Sequence, residues 1–495
     1  MSFSKWMVKM KKILSNKNFQ KIFLIFIFSF LIFSILPHLF YLKYWHPLDS
    51  YKIFWLNFLG SNYKLPLETP KPLIAFIAGI VSPKCMYLLE CVFCALLVVC
   101  FVLLSKRIVS SIFGGIIGAS LFFFCNADIL ANYVFECGWP LFYLPLVFSF
   151  VLFFVNKYYT CAALALFLAN LIRPEGWLYA PIFLWWLKAV KGKRLKMIYF
   201  LPAIAPLIWM FFDWRISGDI FYSYHLTKNY VKISGFSSTS FNIFWLWFAI
   251  RLLANNYHPL VFICGLIGIG YYMKDNFRKD EGMLFIVSFT PLLFYWFFTL
   301  FKKFFLFLRF FLPFIVLIHI FAGILFYLIF KNKYLKVIFS FLLLAISFKT
   351  ENIEFSFKKR IKEEIKRETT LEIERFLKKY LKSHPVKGKI MVGRNMSRLS
   401  LALGEEFSKK TILFREIGTN PKLLKEVPPG LAIYQVEDTA GTGENFRILK
   451  KAKIIFIKDD VFIPIFITSN KEGIVYKVYS KKRYFHRRRQ YNSKK

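Results

Sequence analysis

The chain has 495 residues, of which 57% are hydrophobic and 20% aromatic, and its mean hydropathy is +0.49. Its apolar residues form long blocks, which excludes a soluble globular enzyme, where about half of the residues are apolar. The 68 lysines and arginines against 28 acidic residues give a net charge of +40, but they crowd the ends of the blocks, so membrane orientation and anionic lipid explain them and no nucleic-acid partner is expected.

The N-terminal residues 1–21 are rich in lysine and precede an apolar run from Ile22 to Tyr41. This run is too long for a secretory signal and lacks a small-residue cleavage site, so we expect it to remain as the first span. Several later blocks have about 18 residues with few charges, the length that crosses about 30 Å of hydrocarbon as a helix. The pattern predicts an all-α polytopic membrane protein with about eleven spans.

The basic loops set the predicted topology of these spans. With the N-terminus in the cytoplasm, the inner turns contain Lys106 and Arg107, then Lys157, and then the basic cluster from Lys188 to Lys196. Outer loops are predicted at about 43–71 and 214–240. The other spans are expected near 84–105, 109–127, 138–155, 159–172, 177–190, 197–213, 258–273, 282–301, 309–330 and 335–348.

Residues 349–480 predict a small soluble α/β domain after the transmembrane domain at 22–348. A helix is expected at about 361–383, followed by short strands at 389–392, 431–436 and 454–457 with Gly- and Pro-containing turns between them. The count of spans places this domain on the outer face, because long domains are translocated largely regardless of charge. Acceptor binding, bracing of the outer loops and lipid contact are all open as its role. Residues 481–495 form a basic tail.

Small residues in the apolar blocks need no chemical role. The eight cysteines lie in or beside these blocks. Cys91 and Cys94 share a helical face, but buried thiols behave as small hydrophobes, so neither a disulfide framework nor a metal site is predicted. Gly114 and Gly118 permit close helix packing. The chain has no Gly-rich phosphate loop, no Asp-x-Asp pair and no dinucleotide fingerprint, so a nucleotide donor is not expected.

Charges at the outer ends of the spans are the candidate functional residues, because a bilayer tolerates them only where they are paired, hydrated or functional. All of them map to one membrane face in the predicted topology. Carboxylates beside lysine and arginine suit a reaction in which cations hold a lipid phosphate and a carboxylate removes a proton. The residues are Asp49, Lys71, Asp128, Glu136, Arg173, Glu175 and Arg309.

Four segments resemble the GT-C superfamily of membrane glycosyltransferases, to which the protein O-mannosyltransferases and lipid A aminoarabinose transferases belong. The likeness covers roughly residues 20–350 in layout. Family members often carry an acidic pair in the first outer loop, whereas Asp49 is followed by Ser50, and Leu73 replaces the second proline of a Lys-Pro-Pro segment. The segments are Asp49, Lys71-Pro72-Leu73, Arg173-Pro174-Glu175-Gly176 and Arg309-Phe310-Phe311-Leu312-Pro313.

The resemblance implies a multi-pass enzyme of the plasma membrane. It would move a sugar from a polyprenyl-phosphate donor to a glycan, lipid or protein acceptor at the outer face by an inverting displacement. Asp49 would be the general base, Lys71 would contact the donor phosphate, and Arg309 would stabilise the departing phosphate. Arg173 and Glu175 would orient phosphate or sugar. Glu136 matches an acidic position near the fourth span, and no cofactor is implied because the lipid-linked sugar is a substrate.

Other interpretations stay open. A transporter or flippase of lipid-linked glycans would place ionisable residues near the bilayer midplane on broken helices. A non-catalytic scaffold would tolerate charge changes at Asp49 and Arg309. The turn at Arg173 and Glu175 also fits an internal ion pair that closes a hairpin, and Arg309 also fits a side chain that reaches the headgroups.

Overall fold

The structure is a computed structural model that divides into two compact units. The first unit comprises Met1–Pro47, Thr69–Trp214 and Gly218–Ile361, and the second comprises Leu48–Glu68, Arg215–Ser217 and Lys362–Lys495. The domain boundaries predicted at 349 and 480 stay a prediction. The structure describes residues 16–35, 49–66, 69–124, 139–233, 258–275, 281–300, 311–347, 374–383, 390–392, 396–413, 431–435, 455–457, 460–469 and 475–483.

Helices account for most of the described residues, and residues 374–383 are also helical. In chain order the helices are α1 (Lys17–Ile35), α2 (Asp49–Phe58), α3 (Pro72–Ile80), α4 (Pro83–Val109), α5 (Ile112–Phe124), α6 (Trp139–Val155), α7 (Tyr159–Asn170), α8 (Tyr179–Trp185), α9 (Leu201–Ser217), α10 (Tyr222–Ile233), α11 (Pro259–Asp275), α12 (Gly282–Leu300), α13 (Leu312–Ile329), α14 (Lys333–Ser347), α15 (Met396–Leu403) and α16 (Glu405–Lys410).

Four described segments are long and apolar enough to cross a membrane, namely Lys17–Ile35, Leu88–Val109, Met197–Ser217 and Leu312–Ile329. They lie where the sequence predicts spans, so the chain has the character of a helical membrane protein. The total of about eleven spans stays a prediction. Shorter apolar helices occupy Ile112–Phe124, Phe142–Val155, Tyr159–Asn170, Pro259–Lys274 and Gly282–Tyr295.

Helix α13 is the most deeply buried helix element described in the first unit. Every residue from Leu312 to Leu325 is buried, and the helix packs against α5, α11 and α12. A helix that is apolar on all sides is expected in such an interior position. Its close approach to α5 depends on glycine, because a Cβ on Gly323 would overlap the backbone of Gly114 and Gly118. The predicted packing role of these two glycines is confirmed.

The predicted outer loop at 43–71 contains helix α2, and α3 begins immediately after it. Helix α2 has only ten residues, too few for a span, but it buries Tyr51, Ile53 and Phe54 on one face. The predicted loop at 214–240 likewise contains α10. Both helices escaped prediction because their length and mean hydropathy lie well below those of a membrane span.

The second unit contains a mixed six-stranded sheet in the order β2-β1-β3-β6-β5-β4. Strand β1 pairs in parallel with β2 and β3, and the remaining pairs are antiparallel. Helices α15 and α16 connect β1 to β2, as a parallel pair requires. The predicted strands coincide with β1, β3 and β4, and the predicted helix is described only at 374–383. The strands are β1 (Ile390–Val392), β2 (Thr411–Leu413), β3 (Leu431–Gln435), β4 (Ile455–Ile457), β5 (Asp460–Ser469) and β6 (Val475–Arg483).

Candidate functional site

The turn after α7 positions two of the predicted site residues. Arg173 has an extended backbone (φ −142°, ψ 129°), the conformation favoured before proline, and Pro174 begins a short 3₁₀ helix, Pro174–Leu178. The Arg173 N–H donates to the Ala169 carbonyl at 3.1 Å, and the Gly176 N–H donates to the Arg173 carbonyl at 3.2 Å. These bonds end α7 and hold the turn in one conformation.

Gly176 fixes the turn against buried Asn170. A Cβ at position 176 would overlap the Asn170 Oδ1 atom, so the close approach requires glycine. Asn170 Nδ2 donates to the Pro202 carbonyl at 3.0 Å, and Trp177 Nε1 donates to the Asn170 carbonyl at 3.1 Å. The turn is thereby tied to both α7 and α9.

Arg173 forms a buried ion pair with Glu175, and the two side chains are only 11% and 5% exposed. Arg173 Nη2 also donates to the hydroxyl of buried Tyr295 on α12 at 3.1 Å. The internal ion pair, which the sequence offered as an alternative interpretation of this turn, is therefore present. It is joined to a third side chain from a distant helix.

Two more tyrosines surround this ion pair. Tyr143 on α6 and Tyr179 on α8 are both buried, and both interact electrostatically with Arg173 and Glu175. The Tyr179 hydroxyl donates to a backbone carbonyl of α12 at 2.8 Å. We call Tyr143, Arg173, Glu175, Tyr179 and Tyr295 the Arg173 cluster.

Lys71 lies next to this turn. The Leu73 N–H, in the first turn of α3, donates to the Leu171 carbonyl at 3.3 Å, which joins the start of α3 to the end of α7. Lys71 caps α3 with an extended backbone and is 5% exposed, and its Nζ donates to the Thr69 carbonyl at 3.2 Å. The structure thus brings together the Lys71 segment and the Arg173 turn.

Helix α12 runs between contacts with one predicted inner residue and one predicted outer residue. Glu281, which immediately precedes α12, lies with its Oε1 3.8 Å from Nε of Arg107, a predicted inner residue. Tyr295 contacts Arg173, a predicted outer residue. From Gly282 to Tyr295 the helix rises about 20 Å at 1.5 Å per residue. Arg107 and Arg173 therefore lie toward opposite ends of one helix, and the membrane side of each stays a prediction.

The other predicted site residues are not part of the Arg173 cluster as described. Asp49 is the first residue of α2 and belongs to the second unit. Glu136 and Arg309 lie outside the described residues, as does Asp128. The roles predicted for them stay predictions. Across the described ranges, no three His, Cys, Asp or Glu side chains form a group that could hold a metal ion.

A buried carboxylate near the end of α9 was not predicted from the sequence. Asp213 is 2% exposed and accepts hydrogen bonds from the N–H and the Oγ of Ser223, both at 2.9 Å. Trp209 Nε1 donates to the same Oγ at 3.0 Å. Asp213 therefore secures the first turn of α10 to the end of a predicted span. An acidic residue at the end of an apolar block was the available signal.

No protein-family model matches the chain, and no curated protein matches it. Among solved structures, the chain is similar to the apo form of the oligosaccharyltransferase from Archaeoglobus fulgidus. The identity is 11% and the TM-score 0.48, over 84% of this chain and 70% of that chain. A likeness of this size does not establish a family for the chain.

Proposed function

We propose that the chain is a GT-C-type glycosyltransferase that moves a sugar from a polyprenyl-phosphate donor to a glycan, lipid or protein acceptor at the outer membrane face. The observation that carries the proposal is the buried Arg173 cluster beside the Lys71 segment. The Leu73–Leu171 hydrogen bond holds the two segments together, so a lysine and an arginine belong to one region where α3 begins and α7 ends. A lipid phosphate is an anion that such a region suits.

Lys71 and Arg173 are the proposed ligands of the donor phosphate. Arginine presents five N–H donors in a planar fork that matches phosphate oxygens, whereas lysine acts as a compact point charge. The contacts of Arg173 with Glu175 and Tyr295 both involve Nη2, which orients the fork before a donor arrives. Such preorganised charge stabilises a transition state without reorganisation during the reaction.

The proposed reaction is a single inverting displacement. The acceptor oxygen forms a bond to the anomeric carbon while the bond from that carbon to the phosphate oxygen breaks. The acceptor proton passes to Asp49, and the polyprenyl phosphate leaves with the electron pair of the broken bond. The leaving phosphate needs charge stabilisation more than protonation, and this is the role proposed for Lys71, Arg173 and Arg309. Glu136 and Glu175 are the remaining proposed contacts to the substrate.

Sugar transfer by the purified protein in lipid nanodiscs tests the proposal. Radiolabelled polyprenyl-phosphate sugars serve as donors, and Asp49→Asn is compared with wild type. We expect the variant to lower kcat by about 10²- to 10⁴-fold, the usual contribution of a general base. Lys71→Met should instead raise KM for the donor. Asp219→Asn is the matched control, because this carboxylate is on the surface and outside the proposed site.

The outcomes separate the enzyme class from the individual assignments. Full activity of Asp49→Asn would contradict Asp49 as the base and leave sugar transfer standing. No transfer by folded wild-type protein with any polyprenyl-phosphate donor would contradict a glycosyltransferase and favour the flippase, which movement of a fluorescent lipid-linked glycan across a vesicle membrane would then measure.

A further inference from the structure

The first predicted outer loop is anchored on C-terminal residues within the second unit. The Lys64 N–H donates to Ser408 Oγ at 2.9 Å, and Lys64 Nζ donates to the Thr411 carbonyl at 2.9 Å. Ser408 and Thr411 are buried, and they lie in α16 and at the start of β2. One lysine therefore joins two segments that are more than 340 positions apart in the chain.

The groups that accept hydrogen bonds from Lys64 lie in regular secondary structure. Thr411 Oγ1 donates to the Ser408 carbonyl at 2.7 Å, which closes the junction between α16 and β2. Thr411 pairs with Ile390 in the parallel ladder of β2 and β1. Lys64 is thus held by a helix end and a sheet strand, whose backbone is itself hydrogen-bonded.

The chain between Lys64 and α2 forms a closed turn. Asn57 Nδ2 donates to the Tyr63 carbonyl at 2.8 Å, and the Tyr63 N–H donates to Asn57 Oδ1 at 2.8 Å. Gly60 follows α2 with a φ of +108°, a conformation that favours glycine. Because both ends of the Asn57 amide are used, movement of Lys64 is transmitted to the end of α2.

Helix α2 also packs directly on the C-terminal residues. Its buried face contains Tyr51, Ile53 and Phe54, and it packs against α15. Asp49 is the first residue of this helix, about 15 Å from its other end. The position of Asp49 is therefore set by contacts within the second unit.

We propose that Lys64 is a positioning residue that anchors α2, and with it Asp49, on Ser408 and Thr411. This inference rests on the proposed function, in which Asp49 is the general base. A displacement of about 1 Å in a reacting group lowers a rate by about a hundredfold. The C-terminal residues would then influence sugar transfer without contacting either substrate.

Kinetics of Lys64 variants test the anchor. Lys64→Met keeps most of the aliphatic side chain and removes the ammonium, and we expect kcat to fall by about 10- to 100-fold. KM for the lipid-linked donor should stay within about twofold, because Lys71 and Arg173 belong to the first unit. Lys64→Arg keeps a donor for the Thr411 carbonyl and should recover most of kcat. Lys409→Met is the matched control, because Lys409 lies beside Ser408 but is exposed.

Hydrogen exchange supplies a readout that does not depend on activity. In Lys64→Met, amides of α2 should exchange about tenfold faster, whereas amides of α13 should be unchanged. Ser408→Ala, a smaller change that removes only the acceptor of the Lys64 N–H, should shift α2 exchange and kcat in the same direction. Equal acceleration in α2 and α13 would show general destabilisation and overturn the anchor.

Two further results distinguish the anchor from the proposed function. Unchanged kcat in Lys64→Met with active wild type would overturn the positioning role while sugar transfer stands. Wild-type protein that transfers no sugar would overturn the proposed function, and α2 exchange would then decide the anchor alone: faster exchange in Lys64→Met supports it, and equal exchange overturns it.

Discussion

The buried ion pair between Arg173 and Glu175 can be tested by a double-mutant cycle. Removing one partner leaves a charge at a site where the side chains are 11% and 5% exposed, and breaking a buried pair in this way costs about 3–5 kcal/mol. We expect Arg173→Met and Glu175→Met each to lower the free energy of unfolding by about that amount. The double variant leaves neither charge behind and loses the bond to Tyr295, so it should lie within about 1–2 kcal/mol of wild type.

Unfolding in detergent micelles and sugar transfer in nanodiscs are measured on the same four proteins. If Arg173 only closes the hairpin, the double variant recovers transfer together with stability. If Arg173 binds the donor phosphate, the double variant recovers stability and stays inactive, which is the result we expect. A double variant that is as unstable as the two single variants combined would refute the reasoning, because the cost would then not arise from an unpaired buried charge.

Three other predictions concern packing, capping and pH. Gly323→Ala should destabilise the protein by about 1–3 kcal/mol, because its Cβ would overlap the backbone of α5. Gly270→Ala on α11 is the control and should not destabilise the protein, because nothing lies within 4 Å of a Cβ there. Chemical unfolding measures both variants. Asp213→Ala should lower the free energy of unfolding by about 1.5–3 kcal/mol, because the hydrogen bonds from Ser223 are lost. Amides of α10 should then exchange faster than in wild type, and equal exchange would contradict the capping role. The hydrogen bond from His225 holds the pKa of exposed Asp219 below its ordinary value of about 3.9. The ionised carboxylate therefore stabilises the folded protein fully above that value, and this contribution is lost as the pH falls through the lowered pKa. His225→Ala should weaken rather than remove this acid-dependent step in a pH series of unfolding curves, because the Phe221 N–H then still donates to Asp219, and an unchanged series would contradict the pairing.

Hydropathy could predict the apolar helices but not the short helices of mixed composition. The predicted span at 138–155 coincides with α6, because a continuous apolar block defines its own limits. Helices α2 and α10 have ten and twelve residues and a mixed composition. Such helices depend on burying one face against other elements, and that partner cannot be identified from the local sequence.

The candidate site likewise contains residues that could be predicted from the sequence and one that could not. Lys71, Arg173 and Glu175 could be proposed from sequence, because charges at the ends of apolar blocks are unusual. Tyr295 could not, because it lies in an aromatic-rich helix and its hydroxyl partner is 122 positions away. A tyrosine in such a run gives no local sign that its hydroxyl orients a guanidinium.

The contacts of Lys64 bear on the role of the C-terminal residues, which the sequence left open between acceptor binding, bracing and lipid contact. Ser408 and Thr411 are buried, so the hydrogen bonds that they form with Lys64 belong to the interior of the second unit. Buried polar groups that lose their partners destabilise a fold, so the first predicted outer loop and the C-terminal residues depend on each other for stability. We therefore expect substitutions in the C-terminal residues to disturb the bracing of the loop first, and any contact with an acceptor only after that.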